Sequence, residues 1–346
     1  MIPIFRKIRK QFAYDNKPGK YLRYAIGEIV LVIIGILIAL YINNKNEIRK
    51  NENKFRSNLV LVHKELENNI QGTTTNLNYY IKKDSLIHSI MADTLNIEDY
   101  KISKISDDSP TEGLGLCYII FNTTKATILN NSFNKLNQST NKLPEKYYPI
   151  IRDLEKVYSQ HRTAVIDWNN KMQSLENDNV AKFSDKYNWF NKLFFFDKPN
   201  NDAFKYFIED PIYKNYISQY FFLSQEHVEN IEAFRIEATK SYFAITKLLR
   251  LQDEVASEAT SFIVKKDVLH CYEGTYSLRS GETCEILLED NSLFLIWYSN
   301  KIELISLSPT KFTARSSLFT FNETNNGDVS GLMWHREGQL LHFTKK

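Results

Sequence analysis

Between Ala25 and Ile42 the chain reads AIGEIVLVIIGILIALYI, with Glu28 as the only charged position. At about 1.5 Å per residue such a run reaches about 27 Å, close to the ~30 Å core of a bilayer. It has no polar face of the kind a water-soluble helix shows. The pattern predicts a transmembrane helix over 25–42. Beyond it, Phe55, Leu59, Val62, Leu66 and Ile70 step by three or four and predict an amphipathic helix leaving the membrane. Gly72 and Thr73–Thr75 are expected to weaken or break that helix, and Leu77, Ile81, Ile87 and Ile90 resume a looser stripe. The stretch 93–116, with Asp107, Asp108, Pro110, Gly113 and Gly115, reads as a loop, and 117–140 as a shorter helix.

After Pro144 the periodicity becomes regular. Ile151, Leu154, Tyr158, His161, Val165, Trp168, Met172 and Leu175 form a heptad-like seam over Glu145–Glu176, suited to packing on another long helix. The stretch 183–222 is dense in aromatics, punctuated by Pro199 and Pro211. Two readings stay open there. The rings could complete the bundle core, or Trp189, Phe190, Phe194, Phe195 and Phe196 could form an exposed partner surface, since three consecutive Phe cannot share one helical face. Val228, Ile231, Phe234, Ala238, Tyr242, Ile245 and Leu249 predict a last long helix over about Tyr213–Glu254. Past Lys265-Lys266 the period falls to 2. Eight strand-like runs between Gly274 and Phe343, separated by turn signals such as Asp290-Asn291 and Glu337-Gly338, predict a small antiparallel barrel. The expected class is α+β, with these segments: a basic cytoplasmic segment (1–24), a transmembrane helix (25–42), an elongated extracytoplasmic helical bundle (43–265) and a β-barrel-like domain (266–346).

Charge sets an orientation. Arg6, Lys7, Arg9, Lys10, Lys17, Lys20 and Arg23 precede the apolar run against one acid, Asp15. Positive residues mark the cytoplasmic side, which places the N-terminus inside and the bulk of the chain in the periplasm. The net charge of +3 over 346 residues does not point to nucleic acid. Ala39-Leu40-Tyr41 lacks a small-x-small cleavage pattern, so an uncleaved signal anchor is expected. Within the run, Glu28, Gly35 and Ala39 share one helical face, and Gly35-x-x-x-Ala39 is a small-residue pair that lets two helices approach. Expected partners are therefore the lipid bilayer and either a second copy or an envelope protein.

Two resemblances add to this. The segment FRKIRKQFAYDNKPGKYLRYAIGEIVLVIIGILIALYINNKNEIRK (Phe5–Lys50) resembles the N-terminus of a large family of uncharacterised single-pass membrane proteins of Gram-negative bacteria. The likeness lies in the basic FRKIR start, the YAIGEI entry and the IGILIAL exit. Lys45 stands where members often carry Trp. This likeness implies an inner-membrane location and no activity. The pattern Tyr272-x-Gly274-x-Tyr276, Leu307-x-Pro309-x-x-Phe312, Phe319-x-Phe321 and Val329-x-Gly331-Leu332 resembles the small lipocalin-like β-domain that follows serine beta-lactamase-like hydrolases. In that family it is an accessory without catalytic residues.

The chemistry that could accompany such a domain is not evident. Ser132-Phe133-Asn134-Lys135, Ser139-Thr140-Asn141-Lys142 and Ser308-Pro309-Thr310-Lys311 match S-x-x-K, but no Lys-Thr-Gly or Ser-Asp-Asn accompanies them. No phosphate loop, His-Glu-x-x-His or G-x-S-x-G occurs. His161 falls on a helical seam, and His335 and His342 are expected to face each other across the last hairpin without a third ligand. Cys117, Cys271 and Cys284 are too scattered for a zinc site. A turn at Ser280-Gly281 would set Cys284 opposite Ser277 and about 20 Å along the strand from Cys271, which disfavours a disulfide unless barrel closure brings the two together. No catalytic, cofactor-binding or metal residue is assigned. The expectation is a non-enzymatic membrane-anchored scaffold or binding protein. The rivals are a ligand-sensing accessory using the β-domain and an envelope enzyme with a site where bundle and barrel meet.

Overall fold

The computed structural model describes residues 18–102, 115–140, 143–196, 201–251, 262–324, 327–336 and 338–346. Helix α1, Pro18–Met91, is continuous over 74 residues, about 110 Å at the α-helical rise. The break expected at Gly72–Thr75 does not occur. Thr73 and Thr74 are buried and donate their hydroxyls back to the carbonyls of Asn69 and Ile70, so the helix itself satisfies the groups that compete with it.

After α2 (Ile97–Ile102) the chain departs from expectation again. In place of a helix over 117–140 there is a 3-10 turn at Leu116–Tyr118, an extended run over 122–130 and a short helix α3, Asn131–Asn137. The extended run carries Thr123, Thr124 and Thr127, whose branched side chains disfavour helix. Its burial alternates, with Ala126 and Ile128 buried and Lys125, Thr127 and Leu129 exposed, as in a strand. It has helices for neighbours instead of strands.

A 3-10 turn at Glu145–Tyr147 opens into α4 (Tyr148–Glu155), a π-helical turn (Lys156–His161) and α5 (Arg162–Lys186). The π turn interrupts the expected uniform seam, because the wider turn rotates the buried face. Ile150 and Leu154 are buried before it, Val157 and Tyr158 within it, and Val165, Asn169, Met172 and Asn179 after it, whereas His161 and Trp168 are only half-buried. Helices α6 (Phe190–Phe196), α7 (Asn201–Glu209) and α8 (Pro211–Leu249) complete the body. Helix α8 starts where the Asp210 carboxylate accepts the Ile212 N–H at 2.8 Å, with Pro211 at the first helical position. It ends at Arg250 in the left-handed region, φ 54°. Helix α8 runs antiparallel to α1, so that His63 meets Thr246 at 2.8 Å near one end and Asp84 meets Gln225 at 3.0 Å farther along.

Helix α9 (Lys266–His270) leads into eight strands: β1 Gly274–Ser277, β2 Thr283–Glu289, β3 Ser292–Trp297, β4 Asn300–Ser306, β5 Lys311–Ala314, β6 Ser317–Glu323, β7 Val329–Arg336 and β8 Gln339–Lys345. They form a closed antiparallel meander, with β8 pairing back on β1. The fold is thus α+β, a helical N-terminal part followed by an eight-stranded barrel. Tyr276, Ile286, Phe312, Phe321, Leu332 and Phe343 are buried and fill the barrel as side chains fill other small barrels. Gly331 is required by β7–β8 packing: a Cβ there would lie 2.4 Å from the Phe343 carbonyl oxygen. Two register details differ from expectation, the first by one residue and the second by two. Cys284 faces Tyr276 instead of Ser277, and His335 faces Leu340 while His342 faces Met333, so the two histidines are not a cross-strand pair. No disulfide joins the three cysteines, of which Cys117 and Cys284 are buried and Cys271 is exposed.

Candidate functional site at the junction of body and barrel

The barrel lies against α8 through a polar seam. Arg235 is fully buried, and its guanidinium donates to the carbonyls of Ile70 on α1 (2.9 Å), Phe262 (3.0 Å) and Ser306 on β4 (2.8 Å). It therefore ties three separate pieces of chain together with one side chain. Burial without a carboxylate partner lowers its pKa to about 9. One turn earlier, the buried Glu232 accepts the backbone N–H groups of Arg315 (2.9 Å) and Ser316 (3.4 Å). Burial pushes the Glu232 carboxyl up to about 7, against the lowering effect of those two N–H donors.

Arg315 and Ser316 form the β5–β6 hairpin turn with φ of 49° and 59°. The β3–β4 turn repeats this at Tyr298 (φ 45°) and Ser299 (φ 68°). Two-residue turns of this hand normally carry Asn and Gly, so four other residues in left-handed conformations mark local strain. The strained turns sit at the same end of the barrel, where Gly338 in the β7–β8 turn also meets α1 beside the His88 side chain.

Between that end of the barrel and the helices lies a cleft of about 470 Å³. Its barrel side is formed by Trp297, Phe319 and Trp334 with Asn300, Arg315 and Arg336 on the rim. Its helical side is formed by Asp84 and His88 of α1 and by Phe221, Phe222, Gln225 and Glu229 of α8. Phe319 and Trp334 stack at 5.1 Å, and Trp297 meets Trp334 edge-on at 5.5 Å. Asp84 and His88 pair at 3.2 Å, and Gln225 bridges Asp84 to the Ser316 hydroxyl at 3.0 and 2.8 Å. The cleft thus has an aromatic floor and polar groups of both signs around it. Its volume falls in the range of about 300–1,000 Å³ typical of small-molecule sites.

The residues singled out in the sequence lie elsewhere. Glu28, Gly35 and Ala39 lie on the apolar stretch of α1, and a Cβ at Gly35 would find no atom within 4 Å. Trp189 and Phe190 are buried, at 5% and 6% exposure, in the distal aromatic core with Phe183, Phe207 and Tyr213, which corrects the reading of these two as an exposed partner surface. Helix α6 includes Phe194, Phe195 and Phe196, whose side chains lie outside the described residues. Among the described residues no cluster of three or more His, Cys, Asp or Glu has the arrangement of a metal site. The sequence did carry one overlooked signal: Glu232 and Arg235, two charges three residues apart, stand beside the apolar stripe of α8.

No protein-family model, curated protein or solved structure matches the chain.

Proposed function

We propose that the protein is a non-enzymatic, single-pass scaffold or binding protein of the bacterial inner membrane, with its N-terminus in the cytoplasm and its bulk in the periplasm. The observation that carries this reading is the continuity of α1. Its N-terminal part is long and apolar enough to cross a membrane, with none of the most apolar 18-residue window buried in the protein. The same helix then becomes the central strut of the body, with Phe55, Leu59, Val62 and Leu66 fully buried. A span that is also a core helix holds the body at a fixed angle to the span. The resemblance of Phe5–Lys50 to single-pass envelope proteins supports the same location. The side-chain-filled barrel favours a cap over a lipocalin-like internal ligand chamber. The junction cleft supports the binding half of the reading.

The test is crosslinking of the full-length protein in intact cells, followed by mass spectrometry of the adducts. An envelope protein joined reproducibly through the body or barrel supports a scaffold. Crosslinks to a second copy through Gly35 and Ala39 alone would replace the partner with self-association. Recovery of the chain in the soluble fraction after alkaline carbonate extraction of membranes would overturn the anchoring.

A further inference from the structure

We infer that the junction cleft is a binding site for a neutral oligosaccharide. This rests on the binding half of the proposed function and adds the ligand class. The inference starts from the composition of the cleft. Phe222 is 70% exposed on the helical wall, and Trp297 is half-buried on the barrel wall. An exposed Phe at a polar cleft is a flat apolar plate facing water, the surface on which the C–H face of a sugar ring rests. Around these plates stand planar polar side chains of every kind: the carboxylates of Asp84 and Glu229, the amides of Gln225 and Asn300 and the guanidinium of Arg315. Hydroxyl groups both donate and accept, so a polyol satisfies carboxylates, amides and guanidinium at once.

Other ligand classes fit this lining less well. The carboxylates of Asp84 and Glu229 are matched by the guanidinium groups of Arg315 and Arg336, so the lining carries no net charge to draw an anion. A fatty acyl chain would set hydrocarbon against the exposed Glu229 carboxylate and Arg315 guanidinium. A lipid headgroup is out of reach. Asp84 lies 42 residues beyond Ile42 on one continuous helix, about 63 Å from the end of the apolar run. The strained turns Tyr298–Ser299 and Arg315–Ser316 provide independent support. Four non-glycine residues held at positive φ gather where the cleft opens, and such strain persists where surrounding structure fixes a geometry that function uses. The buried Glu232, holding both N–H groups of the second turn, is that fixing structure.

The experiment uses the full-length chain in lipid nanodiscs, avoiding glycoside detergents. Maltotriose, cellotriose and the N-acetylglucosamine trimer are titrated while tryptophan fluorescence and heat are recorded. Sodium laurate and adenosine monophosphate serve as rival probes. At least one trisaccharide is expected to bind saturably. The variants Phe222→Ala and Glu229→Ala are each expected to weaken it at least about fivefold, the loss of one stacking or hydrogen-bonding contact. Both positions are exposed, so the variants keep the fold. Three results would overturn the proposal: no saturable binding of any trisaccharide up to about 10 mM, weaker than the millimolar end of the affinity scale; affinity unchanged in both variants; or saturable binding of laurate or the nucleotide at this cleft in place of sugar. The anchoring reading stands or falls separately. A chain that binds a trisaccharide yet leaves the membrane in carbonate keeps this inference and loses that reading, and the reverse pattern does the opposite.

Discussion

In the barrel every strand finds its hydrogen-bond partners in neighbouring strands, and the enclosed space is left to rings such as Tyr272 stacked on Phe321 at 4.2 Å. In the helical body the extended run 122–130 has no neighbouring strand. Asn69 of α1 exchanges two bonds with the backbone of Leu129, both at 2.8 Å, and Asn169 of α5 does the same with Ala126 at 2.9 and 3.0 Å. Asn179 adds a bond to the Ile120 carbonyl at 3.0 Å, and Arg162 one to Ile128 at 3.1 Å. The Glu65 carboxylate closes the run by accepting the first free N–H groups of α3, from Ser132 at 2.7 Å and Phe133 at 3.2 Å. Buried backbone must be paired somewhere. The barrel pairs it by topology, and the body pairs it with individual side chains. The second solution puts polar groups into the core. Lys83 is fully buried, between the Tyr79 and Tyr220 rings, with its ammonium donating to the Asn122 carbonyl. The ring of His227 has neither nitrogen partnered. Burial lowers the Lys83 pKa well below its usual value and that of His227 to about 4.

The comparison predicts unequal sensitivity to substitution. Arg235→Ala should have the largest effect. It removes three charge-assisted bonds and opens a cavity between body and barrel, a loss of about 3–5 kcal/mol in urea unfolding of the full chain. Asn169→Leu conserves volume but leaves the Ala126 N–H and C=O buried without partners, and should cost about 2 kcal/mol. Phe321→Leu in the barrel keeps an apolar fill and should cost only about 1 kcal/mol. A barrel loss equal to or larger than that of Asn169→Leu would break the comparison.

Glu232→Gln acts through pH. Its carboxyl has an ordinary pKa of 4.5 and a folded value of about 7, so between these values the folded state holds a proton that the unfolded state has released. Its contribution is fully present below pH 4.5 and is lost as pH rises to 7. The variant should flatten that part of the stability profile, read from urea midpoints at successive pH values, by about 3 kcal/mol across the window. An unchanged profile would show that Glu232 remains ionised in the fold. Lys83→Met should have the smallest effect at neutral pH, within about 1 kcal/mol of zero or stabilising, because replacing a buried charge site by an apolar chain is often neutral. The Asn122 carbonyl keeps the hydroxyls of Tyr79 and Tyr220 as donors. The wild type should also gain stability as pH rises above the depressed Lys83 pKa, since the unfolded lysine holds its proton longer, and the variant should lose that gain.

These contrasts also explain what could be read from the sequence. The apolar run and all eight strands were legible, because period and turn residues report local structure directly. The extended run 122–130 was not, since its partners Asn69 and Asn169 look like surface asparagines until the helices are assembled. The π turn at Lys156–His161 was hidden inside a seam of steps of three and four that fits an α-helix equally well. The cleft was the least legible feature. Asp84, Phe222 and Arg315 come from three distant segments, and nothing in the order of the chain brings them to one place.

The unbroken α1 makes the molecule a lever. From Ile42 to Met91 the arm is 49 residues of one helix, about 74 Å. With the apolar part held by lipid as proposed, a change of about 20° in tilt, within the usual range for spanning helices, would swing the far end sideways by about 25 Å. Membrane thickness or pairing of two spans at Gly35 would thus be magnified into the position of the cleft, with no joint along α1 to absorb it.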